Sequence, residues 1–352
     1  MSLLRRLAES DGISGSEEKV RQVIGDELRD CGEIEVDSMG NLVAVRKGSQ
    51  SSAPSIMLAS HMDEVGMIVK YIRPDGYIVF ELSGLIDPSI LPSQWIRIST
   101  ARGIVPGVIG VKAGHFADDE KAKPTHRSMW IDVGARTREE VIELGVRVGA
   151  SVTYDRPFRI SDNGKYIFSK ALDNRIGCTV MIESMRQIIN AESRWHVYGA
   201  GTVMEEIGGL GAKAVTNRLQ PHVAIVLDGL PASDPSVSME SSAVQVGQGP
   251  VIRKAEVRIT NCSVTPKWLV DLAVKVAEDE GIRYQIDVTS TLFSDASAIN
   301  GIPTIPLLVP RKNSHSPAEV ADVEDIAAAI KLTSALVKKI SSTESSSLGY
   351  GR

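Results

Sequence analysis

Short apolar runs at residues 55–59, 196–203, 223–227 and 304–308 alternate with stretches of helical periodicity. That alternation confines the chain to an α/β architecture built on an open sheet. Such a sheet binds ligands outside the carboxyl ends of its strands. His61 follows the first run, Glu205-Glu206 the second, Asp228 the third, and His315 a short loop after the fourth. Asp173 stands at the mouth of a helical pattern over 174–189. Acids and imidazoles that all fall at such ends meet in one crevice. Their convergence, more than any single residue, points to a two-metal hydrolase.

The chain has 352 residues, enough for two domains. Ser14-Gly15-Ser16-Glu17 has the form of a capping box, and Val20, Val23, Ile24 and Leu28 follow at helical spacing. Residues 34–45 read as two short strands turning at Gly40-Asn41. From about 67 to 168 the texture changes. Strand-like runs at 76–82, 95–99, 104–111, 129–133 and 152–160 alternate with Pro and Gly turns, with one helical stretch at 137–144. This spacing predicts a small sandwich or barrel. The charged stretch from Gly114 to His126 reads as a loop. Further on, Thr265 and Pro266 are placed as N-cap and first residue of a helix stopping at Gly281, and 284–288 is a strand. Asp322 caps a last helix with Val323, Ile326, Ile330 and Val337 inward, and a Ser-rich, disordered tail is expected from Ser341. The expectation is an α/β domain interrupted by a β domain inserted after His61.

Composition narrows the partners. The net charge of -5 disfavours nucleic acid and acidic membrane surfaces. Three cysteines without CxxC spacing argue against a disulfide framework or a thiolate zinc site. The first residues lack the apolar core of a secretory signal, and no segment reaches the ~20 apolar residues of a membrane span. A reducing cytoplasm is the expected location.

Each candidate residue also has a commonplace role. His61-Met62-Asp63 suits an ordinary turn. As a ligand, His61 needs its second ring nitrogen engaged, and a carboxylate two residues on supplies that. Asp173 occupies a favoured capping position; as a ligand, its two oxygens can bridge ions about 3.5–4 Å apart. Glu205-Glu206 is an ordinary solvated pair unless buried, where adjacent acids must be paired, protonated or bound to cations. Asp228-Gly229 suits a turn, and a lone loop histidine such as His315 usually does nothing. His196 and His222 begin strands, at the opposite edge, and read as structural. His115 and His126 show no matching arrangement.

The set weighs more than its members. Two divalent cations bring four positive charges; Asp173, Glu206, Asp228 and a bridging hydroxide balance them. His61 and His315 then complete one shell on each ion. Nitrogen and oxygen donors without sulfur suit zinc, cobalt or manganese. Metal binding lowers the pKa of water towards ~7. Glu205 is placed to take the proton and return it to the leaving amine. A second ion that also holds a free N-terminal amine makes the enzyme an exopeptidase acting on peptides.

The matching pieces run along nearly the whole sequence: Ser14-Gly15-Ser16-Glu17-Glu18, Met39-Gly40-Asn41-Leu42, His61-Met62-Asp63-Glu64-Val65-Gly66, Ile131-Asp132-Val133-Gly134-Ala135, Leu172-Asp173-Asn174-Arg175, Glu205-Glu206-Ile207-Gly208, Asp228-Gly229 and His315-Ser316-Pro317-Ala318-Glu319. In this order they resemble the glutamyl and deblocking aminopeptidases that form tetrahedral particles, a group also labelled cellulase M-like. The resemblance implies a three-layer α/β metallopeptidase domain with a mixed sheet, from residues 1–66 and 164–352. It implies an inserted small β-barrel or sandwich over 67–163 that mediates subunit contacts, with dimers assembling to a dodecamer. It implies Asp173 bridging two ions, His61 and Asp228 on one, Glu206 and His315 on the other, Glu205 as base, and Asp63 in the catalytic set. Two stretches depart from the family pattern. Phe293-Ser294-Asp295-Ala296 stands where Gly-Thr-Asp-Ala is common, and Lys312-Asn313 where Arg-Tyr often precedes the histidine. Both are expected near the substrate pocket.

Two rival readings compete. Gly209-Leu210-Gly211-Ala212 after a strand, with Asp228 ending the next, approaches a dinucleotide-binding fingerprint of a nicotinamide-dependent oxidoreductase. Intervening Glu205-Glu206 would repel a pyrophosphate. The other rival is a non-catalytic metal-binding scaffold, against which the spare carboxylate of Glu205 argues.

Overall fold

The structure is a computed structural model that describes residues 1–112, 115, 125–235, 240, 242–257, 260 and 262–344. Twelve strands form one mixed sheet. Its main path runs Glu33–Val36, Leu42–Arg46, His196–Thr202, Ser55–His61, Val223–Pro231, Thr304–Lys312, Glu319–Asp322, Tyr166–Ser169 and Arg159–Ile160. The four central strands from His196–Thr202 to Thr304–Lys312 are parallel. Side chains in this part of the sheet alternate between two cores. Ile56, Leu58, Val223, Ile225 and Leu227 join the core of the helices Ser2–Glu9, Glu18–Leu28, Leu172–Ile188, Lys267–Asp279 and Val323–Ser342. Met57, Ala59, Ala224 and Val226 join a smaller core under the helix Leu210–Leu219. Successive residues on a strand face opposite ways, so continuous apolar runs bury both faces and give three layers.

Residues Gly66–Ile72, Ile78–Ser83, Trp130–Asp132, Gly103–Gly110, Trp95–Thr100 and Ser151–Tyr154 close a six-stranded antiparallel barrel with its own core. The barrel departs from the end of Ser55–His61, so its loops lie beside the carboxyl edge of the parallel strands. Among the described residues, no helix is long and apolar enough to cross a membrane.

Several local expectations change. Ser2–Glu9 forms a helix because Leu3, Leu4, Leu7 and Ala8 share one buried face. The strand Gly66–Ile72 adds to the barrel runs. Residues 152–160 split into a barrel strand and Arg159–Ile160, which pairs with Tyr166–Ser169 in the large sheet. Thr265 does not cap its helix: Pro266 is the N-cap, and Thr265 Oγ1 donates to the Arg253 carbonyl at 2.9 Å. Asp322 does cap the last helix, accepting from the Glu324 N–H. That helix runs to Ser342, so Ser341 is ordered and buried. Most of the 114–126 stretch and the tail beyond Glu344 lie outside the described residues.

The capping box also fails to form. Glu17 is the N-cap of Glu18–Leu28 without a side-chain capping bond. Ser14 instead donates to Asp63 Oδ2 at 2.6 Å, and Glu17 Oε1 accepts from the Met204 N–H at 3.1 Å. Both side chains are drawn towards the carboxyl edge of the sheet, where buried polar groups compete for them.

Candidate metal centre

Val226 pairs with Ala59, so Asp228 and His61, two residues on along parallel strands, stand side by side. His61 pairs with Thr202, which puts Glu205 and Glu206 just beyond the same edge. Asp173 arrives from the start of Leu172–Ile188, a helix that lies close on the sheet. A Cβ on Gly177 of that helix would stand 2.3 Å from the Leu227 carbonyl, so only glycine permits this approach. Asn174 secures the turn, donating to Ser60 Oγ and the Leu227 carbonyl.

The structure brings all five candidate ligands together. His61, Asp173 and Asp228 form one group, and Asp173, Glu206 and His315 another, with the ligand atoms of each group within 4.8 Å of one another. Asp173 belongs to both. Its Oδ1 lies 3.1 Å from His61 Nε2, and its Oδ2 3.2 Å from His315 Nε2. Asp228 Oδ1 is 3.4 Å from His61 Nε2, and Glu206 Oε1 is 3.5 Å from His315 Nε2. Glu205 belongs to neither group; its Oε2 lies 3.9 Å from His61 Nε2.

Both imidazoles are held from behind. His61 Nδ1 faces Asp63 Oδ1 at 3.3 Å, and His315 Nδ1 faces the Leu85 carbonyl at 2.8 Å. Engaging Nδ1 leaves Nε2 as the donor towards the crevice. Leu85 comes from the loop after the barrel strand Ile78–Ser83, so the insert helps to build the site. Of the six non-glycine residues with positive φ among those described, Ala171, Met204, Asn313 and His315 flank or belong to this constellation. Such backbone costs about 1–3 kcal/mol per residue and persists only where surrounding contacts enforce it.

Asp63 is fully buried and is the hub of the edge. It accepts from the Glu205 N–H at 3.0 Å, the Glu206 N–H at 3.1 Å and the Ser14 hydroxyl at 2.6 Å. Burial opposes its charge, but His61 and these donors hold its pKa below the usual carboxylate value. Asp63→Ala leaves one buried and one partly buried N–H group and a buried hydroxyl without an acceptor. At about 1–3 kcal/mol each, the expected loss of stability is at least ~3 kcal/mol, read from the denaturation midpoint. A loss below ~1 kcal/mol contradicts the hub role.

Glu205 and Glu206 are shifted the opposite way from Asp63. Burial drives Glu205 well above the ordinary value, with Glu206, Asp228 and Asp295 adding repulsion. Burial likewise pushes Glu206 to about 7. Burial lowers His61, but Asp228 and Glu205 more than reverse this and hold it well above normal. Glu206 Oε1 is buried without a hydrogen-bond partner. Crowded oxygen and nitrogen donors, one of them orphaned, fit divalent cations of the zinc, cobalt or manganese type.

Sequence reasoning missed four contributors. Arg311 is buried, contacts Asp173 Oδ2 through Nη2, and donates from Nη1 to Glu319 Oε1 at 2.7 Å. Glu319 accepts from the Asp173 and His315 backbone N–H groups, each at 2.9 Å. Asp295 is buried, accepts from Thr202 Oγ1 at 2.5 Å, and is pushed by burial to about 7. The fourth is the Leu85 carbonyl. The charged pair Arg311-Lys312 that ends the apolar run of the strand Thr304–Lys312 was the available sign for Arg311. The other histidines lie elsewhere: the His196 and His222 rings accept from the Gly48 and Ser55 N–H groups at the far edge, His126 faces Glu81, and His115 is exposed.

A cavity of about 190 Å³ opens on the centre. Phe293 of the departing stretch lines it, with Leu85, Leu230, Pro231 and Leu292. Lys312 and Asn313 do not; Asn313 turns to a separate cleft with Gln94 and Arg156. The glycine pattern of the rival dinucleotide reading is used for packing instead. A Cβ on Gly211 would fall 2.4 Å from Asn41 Oδ1 and from the Val203 carbonyl.

A family model described as M42 glutamyl aminopeptidase matches residues 40–332. The lysyl aminopeptidase of Pyrococcus furiosus is 33% identical, over 96% of either chain. A TET aminopeptidase from a marine sediment Thaumarchaeota archaeon is 31% identical with a TM-score of 0.91, covering 97% of this chain and 96% of that one. The TET1 peptidase of Pyrococcus horikoshii, described as assembling into a tetrahedron or a large octahedral shell, is 32% identical with a TM-score of 0.86, covering 96% and 98%.

Proposed function

This chain belongs to the M42 glutamyl aminopeptidase family and is a peptide-bond hydrolase, and we propose that it releases N-terminal residues from short peptides with two divalent cations held by His61, Asp173, Glu206, Asp228 and His315. The rival readings as an oxidoreductase or an inactive scaffold have no support in that membership. The observation that carries the proposal is Asp173, one oxygen of which faces each histidine. Zinc or cobalt is the expected metal, with manganese as a further fit to the same donors. When bound, the cations would acidify a water and polarise the scissile carbonyl.

The chain's own groups do the rest. Glu205 lines the cavity outside both ligand groups, so its carboxylate is free to take a proton from water and pass it to the departing amine. Asp63 fixes the His61 ring and, through the two N–H groups it accepts, the directions of Glu205 and Glu206. Arg311 and Glu319 fix the Asp173 carboxylate and backbone. Leu85 and Phe293 narrow the cavity against water. The test is hydrolysis of aminoacyl-anilides by protein reconstituted with each metal. No hydrolysis with zinc, cobalt or manganese would overturn the proposal.

Metal uptake should depend on pH in a fixed direction. Glu206, raised to about 7, holds a proton in the metal-free protein below neutrality, and burial shifts Glu205 in the same direction. His61 is protonated there as well. Ligands bind only when deprotonated, so loading releases protons and apparent affinity climbs as pH rises from 5 to about 8. Titration calorimetry in two buffers of different ionisation enthalpy measures the release. Buffer-independent heats at pH 6 contradict the raised carboxyls.

We also propose self-assembly through the barrel domain (residues 67–163 as read from the sequence), supported by the assemblies described for the TET1 relative. Sedimentation as a monomer at micromolar concentration contradicts it. Cytoplasmic location is proposed from the reduced Cys31 and Cys178, both buried and unpaired.

A further inference from the structure

We propose that Arg253 reads the side chain of the substrate's N-terminal residue and selects a neutral one ending in a carbonyl, glutamine or asparagine. This rests on the aminopeptidase reading above. The cavity over the centre has apolar walls: Leu85, Leu230, Pro231, Leu292 and Phe293. Two arginines line it as well. Arg311 is committed to Asp173 and Glu319, and its Nε is covered by Gly229, where a Cβ would stand 2.5 Å away.

Arg253 is different. It is only 2% exposed. Its Nε donates to Asp287 Oδ2 at 2.9 Å and its Nη1 to Glu256 Oε1 at 3.0 Å. Neither of those acids lines the cavity. Nη2 is buried and has no hydrogen-bond partner among the described residues. Arg253 lines the cavity, and Nη2 is the one guanidinium nitrogen that no described residue engages. A buried donor without an acceptor is costly, and an acceptor that arrives with the substrate recovers that cost.

Charge decides which acceptor. Glu256 and Asp287 already set two negative charges against the single guanidinium. A substrate carboxylate would bring a third into a low-dielectric pocket and be repelled. A lysine ammonium would present donors to a donor. An aliphatic side chain would fill the walls but leave Nη2 unpaired. An amide carbonyl satisfies Nη2 without adding charge. The selectivity inferred for this chain is thus neither that of a glutamyl nor of a lysyl enzyme, although it shares their family.

The experiment is a panel of Gln-, Asn-, Glu-, Leu-, Met- and Lys-4-nitroanilides with the metal-reconstituted full chain, giving kcat and KM for each. Glutamine is expected to exceed leucine and glutamate in kcat/KM by about 10- to 100-fold, the worth of one buried hydrogen bond. Arg253→Met should bring the Gln-to-Leu ratio down towards one, and Arg253→Lys should restore part of it. Because Arg253→Met strands the buried Glu256 and the partly buried Asp287, the same ratio is measured in the Arg253→Met/Glu256→Gln variant, which removes the buried charge. Hydrolysis with leucine, glutamate or lysine preferred overturns this inference alone. So does a variant that slows every substrate equally. Hydrolysis of none overturns the aminopeptidase reading and this one with it.

Discussion

Glu205→Gln is expected to lower kcat by about 10²- to 10⁴-fold, the usual worth of a positioned acid–base group, while metal content stays at the wild-type level. Glu205 lines the cavity but belongs to neither ligand group, so its loss should cost proton transfer and spare binding of the ions. Glutamine matches glutamate in shape and cannot accept the proton. The substitution also removes one carboxyl from a buried cluster with Glu206, Asp228 and Asp295, whose repulsion helps to raise it. The variant should therefore be no less stable than the parent. The check combines steady-state kinetics with elemental analysis of the same sample. Full metal content with an undiminished rate removes Glu205 from the mechanism.

Asp173→Ala should have the broader effect. Asp173 is the one residue common to both ligand groups, and its two oxygens face different histidines. On the proposed two-ion reading, removing it is expected to take metal content from about two ions per chain to none, because a bridging carboxylate would serve both positions. Asp228→Ala and His315→Ala each touch a single group and should lose about one ion. The comparison matters more than any single variant. A protein that keeps one tightly held ion without Asp173 has a mononuclear site, and the bridging role is then wrong. Asp173→Ala also leaves Arg311 with Glu319 as its remaining carboxylate partner, so thermal stability needs to be followed in parallel.

Much of the architecture was legible because burial on both faces forces continuous apolar strands. Residues 55–59, 223–227 and 304–308, and all but the last of 196–203, lie in the parallel centre of the sheet. His61, Glu206 and Asp228 were visible for the same reason, since a polar residue just past such a run falls at the carboxyl edge; Asp173 at a helix mouth and His315 after a loop were found by joining that set. Their supporting groups were hidden. Ser14 and Glu17 carry a perfectly good local capping pattern, and local patterns cannot report that Asp63 and the Met204 N–H, dozens of residues away or more, offer better partners. Phe293 was expected near the pocket and lines it, whereas Lys312 and Asn313, just before the histidine, turn away.

By itself, then, the order of residues determined the layer pattern, the interrupting β segment, and which acids and imidazoles reach one edge. Periodicity and residue type carry that information locally. Only the folded chain decided which atom faces which: that Asp173 divides its oxygens between two histidines, that a barrel carbonyl holds His315, and that one guanidinium nitrogen of Arg253 has no partner among the described residues. Those outcomes depend on competition among partners far apart in sequence, and that competition is settled only when burial removes water as the alternative.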